Sequence, residues 1–208
     1  KYLRKTKQLL TIIISHLSNE TKENLRNQGI CLTTQQKPSF NYILFCRYLK
    51  LNELEDRIST IKNVEKSKLF IIGNEILKLF VNKYTKFTHL YISQQFHYQI
   101  NLAERCFSEL KFLYCNTEST DQNILEGFAR MNQSIEKLEL DIAKTGNNYG
   151  IFKLIEAQKN LNDVQFSSYK KADESFHRKL EESLIKHANT IQCFKINQEP
   201  FTKILSYF

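Results

Sequence analysis

Apolar residues recur along this chain with two periods, and the two alternate. Five short segments share the pattern apolar-x-x-apolar-x-apolar. They are Phe87-Thr-His-Leu90-Tyr-Ile92, Phe107-Ser-Glu-Leu110-Lys-Phe112, Ile135-Glu-Lys-Leu138-Glu-Leu140, Leu161-Asn-Asp-Val164-Gln-Phe166 and Ile191-Gln-Cys-Phe194-Lys-Ile196. The last two apolar positions of each alternate with polar ones, the period of a strand buried on one face. The apolar residue three positions earlier sits where the chain turns into that strand. Helical stripes lie between the segments. Thr120 or Asp121 can cap a helix carrying Ile124, Leu125, Phe128 and Met131, and Asn147–Asn148 precede a shorter face of Ile151, Leu154, Ile155 and Gln158. Asp173 can cap a helix whose Phe176, Leu180, Leu184 and Ala188 return every fourth residue.

Each unit therefore reads strand, loop, helix, loop, and such a unit cannot bury both of its apolar faces alone. Stacking copies side by side gives a parallel sheet lined by helices. The predicted fold is α/β, a leucine-rich-repeat-like solenoid of strand–helix units, after the pattern L-x-x-L-x-L-x-x-N/C. Phe107, Leu110, Phe112 and Cys115-Asn116 follow that pattern furthest, with the Cys or Asn expected to bond backbone groups where the chain leaves the strand.

The first 85 residues are less regular. Leu3, Leu9, Leu10, Ile13, Ile14 and Leu17 form one helical stripe, and Ser18–Gln28 reads as a second helix ended by Gly29. Thr33–Ser39 is a loop, and Cys46-x-x-Leu49-x-Leu51 fits the repeat loosely. Two helices are predicted around Leu54, Ile58 and Ile61, and around Ile72, Ile76, Leu79 and Phe80. Residues 1–85 thus form a helical N-terminal cap with a first irregular repeat, and residues 86–208 the repeat body.

Composition narrows the function classes. With 41 % hydrophobic and 25 % charged residues, five Gly and two Pro, the chain is ordinary globular material. No stretch approaches the roughly 18 apolar residues of a membrane span. Five cysteines, none at C-x-x-C spacing, predict free thiols and an intracellular protein. The net charge of +8 is concentrated in residues 1–90, with sixteen Lys/Arg against seven Asp/Glu. That basic half raises nucleic acid as a partner, but only seven of the 30 cations are Arg, the commoner base reader.

Motifs for catalysis are absent. There is no phosphate-binding glycine loop, no nucleophile elbow and no zinc-protease helix. His16, His89, His97, His177 and His187 have no metal-ligand spacing, and Cys115 lacks a base and an orienting group. The expectation is a protein without enzymatic activity, cofactor or metal. The remaining candidate is surface. The strand residues between the apolar ones face the concave side that repeat proteins use to hold partners. Those assigned to partner binding are His89 and Tyr91; Glu109, Lys111 and Leu113; Lys137, Glu139 and Asp141; Asp163 and Gln165; and Lys195 and Asn197. Apolar groups set among charges are typical of a protein-binding patch.

Phe40-Asn-Tyr-Ile-Leu-Phe-Cys-Arg-Tyr-Leu49, Thr85-Lys-Phe-Thr-His-Leu90, Phe107-Ser-Glu-Leu110 with Cys115-Asn116, Gln122–Gly127, Leu154–Lys159 and Ser183–Ile191 together carry a resemblance. The chain resembles the body of an expanded family of fungal F-box-like proteins with leucine-rich-repeat-like bodies. The resemblance implies a substrate receptor for ubiquitination, in which an N-terminal F-box docks on the Skp adaptor of a cullin ligase and the repeat body holds the substrate. Lys1–Ser18 looks like the segment that comes after an F-box, so the chain is expected to be a piece of something longer and no adaptor-docking residue is assigned. The alternative is a stand-alone repeat scaffold for a protein partner.

Overall fold

The computed structural model describes residues 2–32, 36–62, 64–92, 105–117, 120–142, 149–168 and 174–196. Two helices open the chain, α1 (Tyr2–Ser15) and α2 (Asn19–Asn27). Ser18 caps α2, its hydroxyl accepting from the Thr21 N–H at 3.0 Å. At the other end Gly29 takes φ +73°, so that its own N–H reaches the Arg26 carbonyl and the Ile30 N–H reaches the Leu25 carbonyl, both at 2.9 Å. Leu25 and Ile30 are both buried, completing the hydrophobic contact of this helix stop.

A 3₁₀ turn at Tyr42–Phe45 leads into β1 (Tyr48–Lys50), and α3 (Leu51–Ser59) and α4 (Lys66–Phe80) follow. From there strands and helices succeed one another: β2 (His89–Ile92), a 3₁₀ turn at Arg105–Phe107, β3 (Phe112–Asn116), α5 (Gln122–Met131), β4 (Lys137–Ile142), α6 (Tyr149–Ala157), β5 (Asp163–Ser168), α7 (Glu174–Ile185) and β6 (Cys193–Ile196). The six strands form one all-parallel sheet in sequence order. β1 pairs with β2, so the sheet runs across residue 85 and takes in the irregular first repeat.

The strand starts are stitched by one recurring device. Two consecutive N–H groups of each unit converge on a single carbonyl of the unit before. Thr88 and His89 donate to Arg47, Lys111 and Phe112 to Thr88, and Glu136 and Lys137 to Lys111; Asn162 and Asp163 donate to Glu136, and Gln192 and Cys193 to Asn162. All ten distances lie between 2.8 and 3.1 Å.

This ladder corrects the register predicted for one unit. Lys111-Phe112 stands where Thr88-His89 and Glu136-Lys137 stand, so the repeating segment there is Leu110-Lys-Phe-Leu113-Tyr-Cys115, not Phe107–Phe112. The buried rows follow from the pairing. Leu49, Leu90, Leu113, Leu138 and Val164 form one, continued by half-buried Phe194, and Ile92, Cys115, Leu140 and Phe166 the other, continued by half-buried Ile196. Leu113, expected on the exposed face, has no accessible surface. A slip of one residue moves every side chain of a strand to the opposite face. Phe107 is buried in its own right, stacked on Phe87 at 5.8 Å and edge-on to Phe128 at 5.6 Å, which is why it mimics a repeat position. Cys115 accordingly lies within the strand instead of capping its exit. Its Sγ donates to the Thr120 hydroxyl, whose own proton goes to the Asn116 carbonyl.

The helices cover the buried side of the sheet through Leu125, Phe128 and Ala129 of α5, Ile151, Leu154 and Ile155 of α6, and Phe176, Leu180 and Leu184 of α7. Each large apolar side chain among them contributes about 1.5–3 kcal/mol by leaving water. Gly150 lets α6 approach α5: a Cβ there would lie 2.3 Å from the Gln122 carbonyl oxygen. Among the described residues no helix is long and apolar enough to cross a membrane.

Polar side chains join successive units inside this core. Buried Asn132 donates to the carbonyls of Phe107, Ser108 and Leu110 at 3.0–3.1 Å. Buried Gln158 donates to the Asn132 and Leu154 carbonyls and accepts from the Ile135 N–H. His187 meets the Ile155 carbonyl at 2.8 Å, and the Thr190 hydroxyl donates to Leu161. Gln158, which the sequence pattern places in a helix stripe, is thus a connector. His187 is a buried structural imidazole.

Candidate functional site

The side of the sheet facing away from the helices carries every second strand residue. On β4, Lys137, Glu139 and Asp141 are half-buried while Leu138, Leu140 and Ile142 are buried. The parallel register assembles the outward residues into rows across the strands. One row reads Tyr48, His89, Phe112, Lys137, Asp163, Cys193; the next reads Lys50, Tyr91, Tyr114, Glu139, Gln165, Lys195; a third contains Asn116, Asp141 and Ser167.

The first three strands make this face aromatic. Tyr48 stacks on His89 with ring centroids 4.1 Å apart, and His89 stacks on Phe112 at 5.5 Å. Tyr91 leans on Phe112 at 4.8 Å and on Tyr114 at 6.2 Å. Adjacent strands lie about 4.8 Å apart, which is why rings in register meet face to face. Phe112 is only 6 % exposed despite pointing outward, because His89, Tyr91 and Lys137 cover it.

Charge takes over at β4. The Lys137 ammonium sits 5.8 Å from the Phe112 ring centroid and bonds Glu139 at 3.0 Å and Asp163 at 3.1 Å. Its hydrogen bonds to those two carboxylates, Glu139 first, raise its pKa. At the other end Lys50 lies 5.2 Å from the Tyr91 ring centroid and pairs with Glu53 at 3.0 Å. The Tyr114 hydroxyl donates to the Asp141 carboxylate. Burial lowers the pKa of His89, whose Nδ1 is 2.9 Å from the Thr88 hydroxyl.

Of the residues assigned to this face from sequence, His89, Tyr91, Lys137, Glu139, Asp141, Asp163, Gln165 and Lys195 lie on it together. Leu113 does not, because the register of β3 turns it inward. Glu109 and Lys111 precede β3 and pair along the strand starts, Glu109 with Lys86 at 3.2 Å and Lys111 with Glu136 at 2.6 Å. Asn197 lies outside the described residues. Tyr48, Lys50, Phe112 and Tyr114 belong to the face without having been expected there. The signal for the two on β3 is present in Leu110-x-x-Leu113-x-Cys115, which gives more even spacing than the segment starting at Phe107.

Comparison with known proteins adds no assignment to this face. No family model matches the chain, and no curated protein matches it.

Two observations bear on the titratable groups of the described residues. No group of three or more His, Cys, Asp or Glu side chains is arranged to hold a metal ion. Burial pushes the Cys115 thiol up to about 12, so it is protonated at neutral pH and a poor nucleophile. The face itself carries a row of stacked rings, exposed at Tyr48 and covered at Phe112, that ends in the ion-paired Lys137.

Proposed function

We propose that the six strand–helix units are a leucine-rich-repeat-like solenoid whose outer strand face holds a protein partner. The observation that carries this reading is the aromatic row Tyr48–His89–Phe112 with Tyr91 and Tyr114 beside it, set on parallel strands and bordered by Lys50 and Lys137. Aromatic rings held in place lose little entropy on binding and dominate the energetics of protein interfaces. The family resemblance of the sequence adds the biological setting. On that reading the partner is a substrate for ubiquitination, and the chain is the substrate-holding half of a receptor that reaches the Skp adaptor through an F-box. The alternative is a stand-alone scaffold for the same partner.

A photo-crosslinking amino acid placed at Tyr91, with Lys179 on the helix side as control, tests both parts in cells of the source organism. The expected result is a discrete protein adduct from position 91 that position 179 does not give. Equal labelling from both positions, or none from position 91, overturns the assignment of the face. The adduct partner's half-life then decides the setting: lengthening when the Skp adaptor is depleted supports the receptor, and no change supports the scaffold.

A further inference from the structure

The N-terminal cap carries a cavity of about 220 Å³ between the end of α1, the segment before β1 and the end of α4. Ile43, Leu44 and Leu79 give it apolar walls, and His16, Lys37 and Lys78 bring polar groups to it. At about 30 Å³ of liquid per water molecule it has room for about seven waters, less than a drug-sized ligand needs. None of these residues lies on the outer strand face, and the site stands whether or not that face holds a partner.

Part of the polar lining is spent on the protein itself. Asn82 donates to the Leu79 carbonyl at 2.7 Å and accepts from the Tyr84 and Thr85 N–H groups at 2.8 and 3.2 Å. Lys78 pairs with Glu75 at 2.6 Å. His16 and Lys37 are not so committed. His16 is only 8 % exposed, its ring edge-on to Tyr42 at 6.4 Å, and its Nε2 is buried with no hydrogen-bond partner. Such a nitrogen gives up its hydration and gains nothing in return. Lys37 is exposed and makes no ion pair among the described residues.

The field at this ring is positive. Burial first, and then the charges of Lys37 and Lys22, lower the pKa of His16, so the imidazole is neutral at pH 7. Lys22 donates to the Ser15 carbonyl at 3.2 Å and has no carboxylate beside it among the described residues, and no described Asp or Glu lines the cavity. An acceptor for Nε2 and a negative charge for Lys37 are what the lining lacks. We infer that the cavity binds a small monocarboxylic acid, its carboxylate held by Lys37 and the Nε2–H of His16 and its apolar body lying on Ile43, Leu44 and Leu79. A single negative charge matches the one lining cation left unpaired. Inorganic phosphate carries more charge than that and would leave the apolar walls bare.

The test is ligand-observed NMR on the full chain with benzoate, phenylacetate and butyrate, each against its primary amide, and with inorganic phosphate. The expected result is saturable binding of at least one acid, with its amide at least about tenfold weaker, as loss of a charged hydrogen bond brings. The same acid should shift the ring signal of His16, which is identified by its absence in H16F. K37Q, at an exposed position, should weaken that acid at least about fivefold, whereas K159Q, exposed beyond α6, should leave it unchanged. H16F keeps a ring beside Tyr42 but removes both nitrogens, so it should abolish acid binding while its urea midpoint stays level or rises. Where H16F does not fold, K37Q decides. The site is overturned if the amides bind as well as their acids, if phosphate displaces the acid with equal affinity, if K37Q binds undiminished, or if no acid binds.

Discussion

Replacing Asn132 by Ala removes one amide from the interior and should cost this protein about 3 kcal/mol. The side chain is 1 % exposed. Its two N–H groups serve three carbonyls, Phe107 at 3.1 Å, Ser108 at 3.0 Å and Leu110 at 3.1 Å, while its Oδ1 accepts from the Ser134 N–H at 2.8 Å. Two donated bonds and one accepted bond are each worth about 1 kcal/mol net, and buried carbonyls left without a donor lose about 1–3 kcal/mol of solvation. The Phe107 carbonyl keeps the Leu110 N–H at 3.2 Å and the Ser108 carbonyl is part-buried, so the solvation loss falls mainly on Leu110. The sum therefore stays near the lower end, at about 3 kcal/mol. Asn132→Asp should be worse than Ala, because a carboxylate would face the same carbonyls with no proton to offer. Urea denaturation measures both, with exposed Gln133→Ala as a control expected within about 0.5 kcal/mol of the parent. A loss below about 1 kcal/mol for Asn132→Ala, at unchanged urea dependence, would refute the idea that this amide ties β3 to the unit after it. So would an Asp variant as stable as the parent.

Leu138→Asp buries a carboxylate in a row with no accessible surface and should abolish cooperative unfolding, whereas Glu139→Ala should leave the urea midpoint nearly unchanged; equal tolerance of both refutes the register. Gly150→Ala would gain about 1 kcal/mol on helix propensity alone, but the clash of the added methyl with the Gln122 carbonyl should turn this into a loss of about 1–3 kcal/mol; a stabilised variant in urea melts contradicts the close contact of α5 and α6. Cys115 should resist a thiol reagent at mildly alkaline pH in the native protein while exposed Cys31 reacts, and should react once urea is added. Because burial raises its pKa to about 12, the unfolded thiol ionises first, so its contribution is complete below about pH 9 and is lost between there and about pH 12. The stability difference between the parent and Cys115→Val, followed by urea melts across that range, should therefore move against the parent as pH rises.

Strand and helix alternation was legible in the sequence because each unit repeats a period-2 segment and a period-4 stripe, and the sheet order follows from stacking such units. The register of β3 was not. Leu110-Lys-Phe-Leu-Tyr-Cys115 has apolar residues on both faces, so alternation alone does not say which side is inward; the paired N–H groups of Lys111 and Phe112 on the Thr88 carbonyl do. That ambiguity has a physical origin. A strand reads cleanly when one face is polar, as in Lys137–Ile142, and ambiguously when its outer face is itself aromatic. The residues that obscured the register, Phe112 and Tyr114, are therefore the ones that make the face aromatic. The connectors Asn132 and Gln158 were hidden for a different reason. They are polar residues at buried positions, three places before Ile135 and Leu161, and only the carbonyls they reach distinguish them from loop residues. A strand whose two faces are both apolar gives alternation no polar side to count from, and there only the pairing with its neighbours says which face is inward.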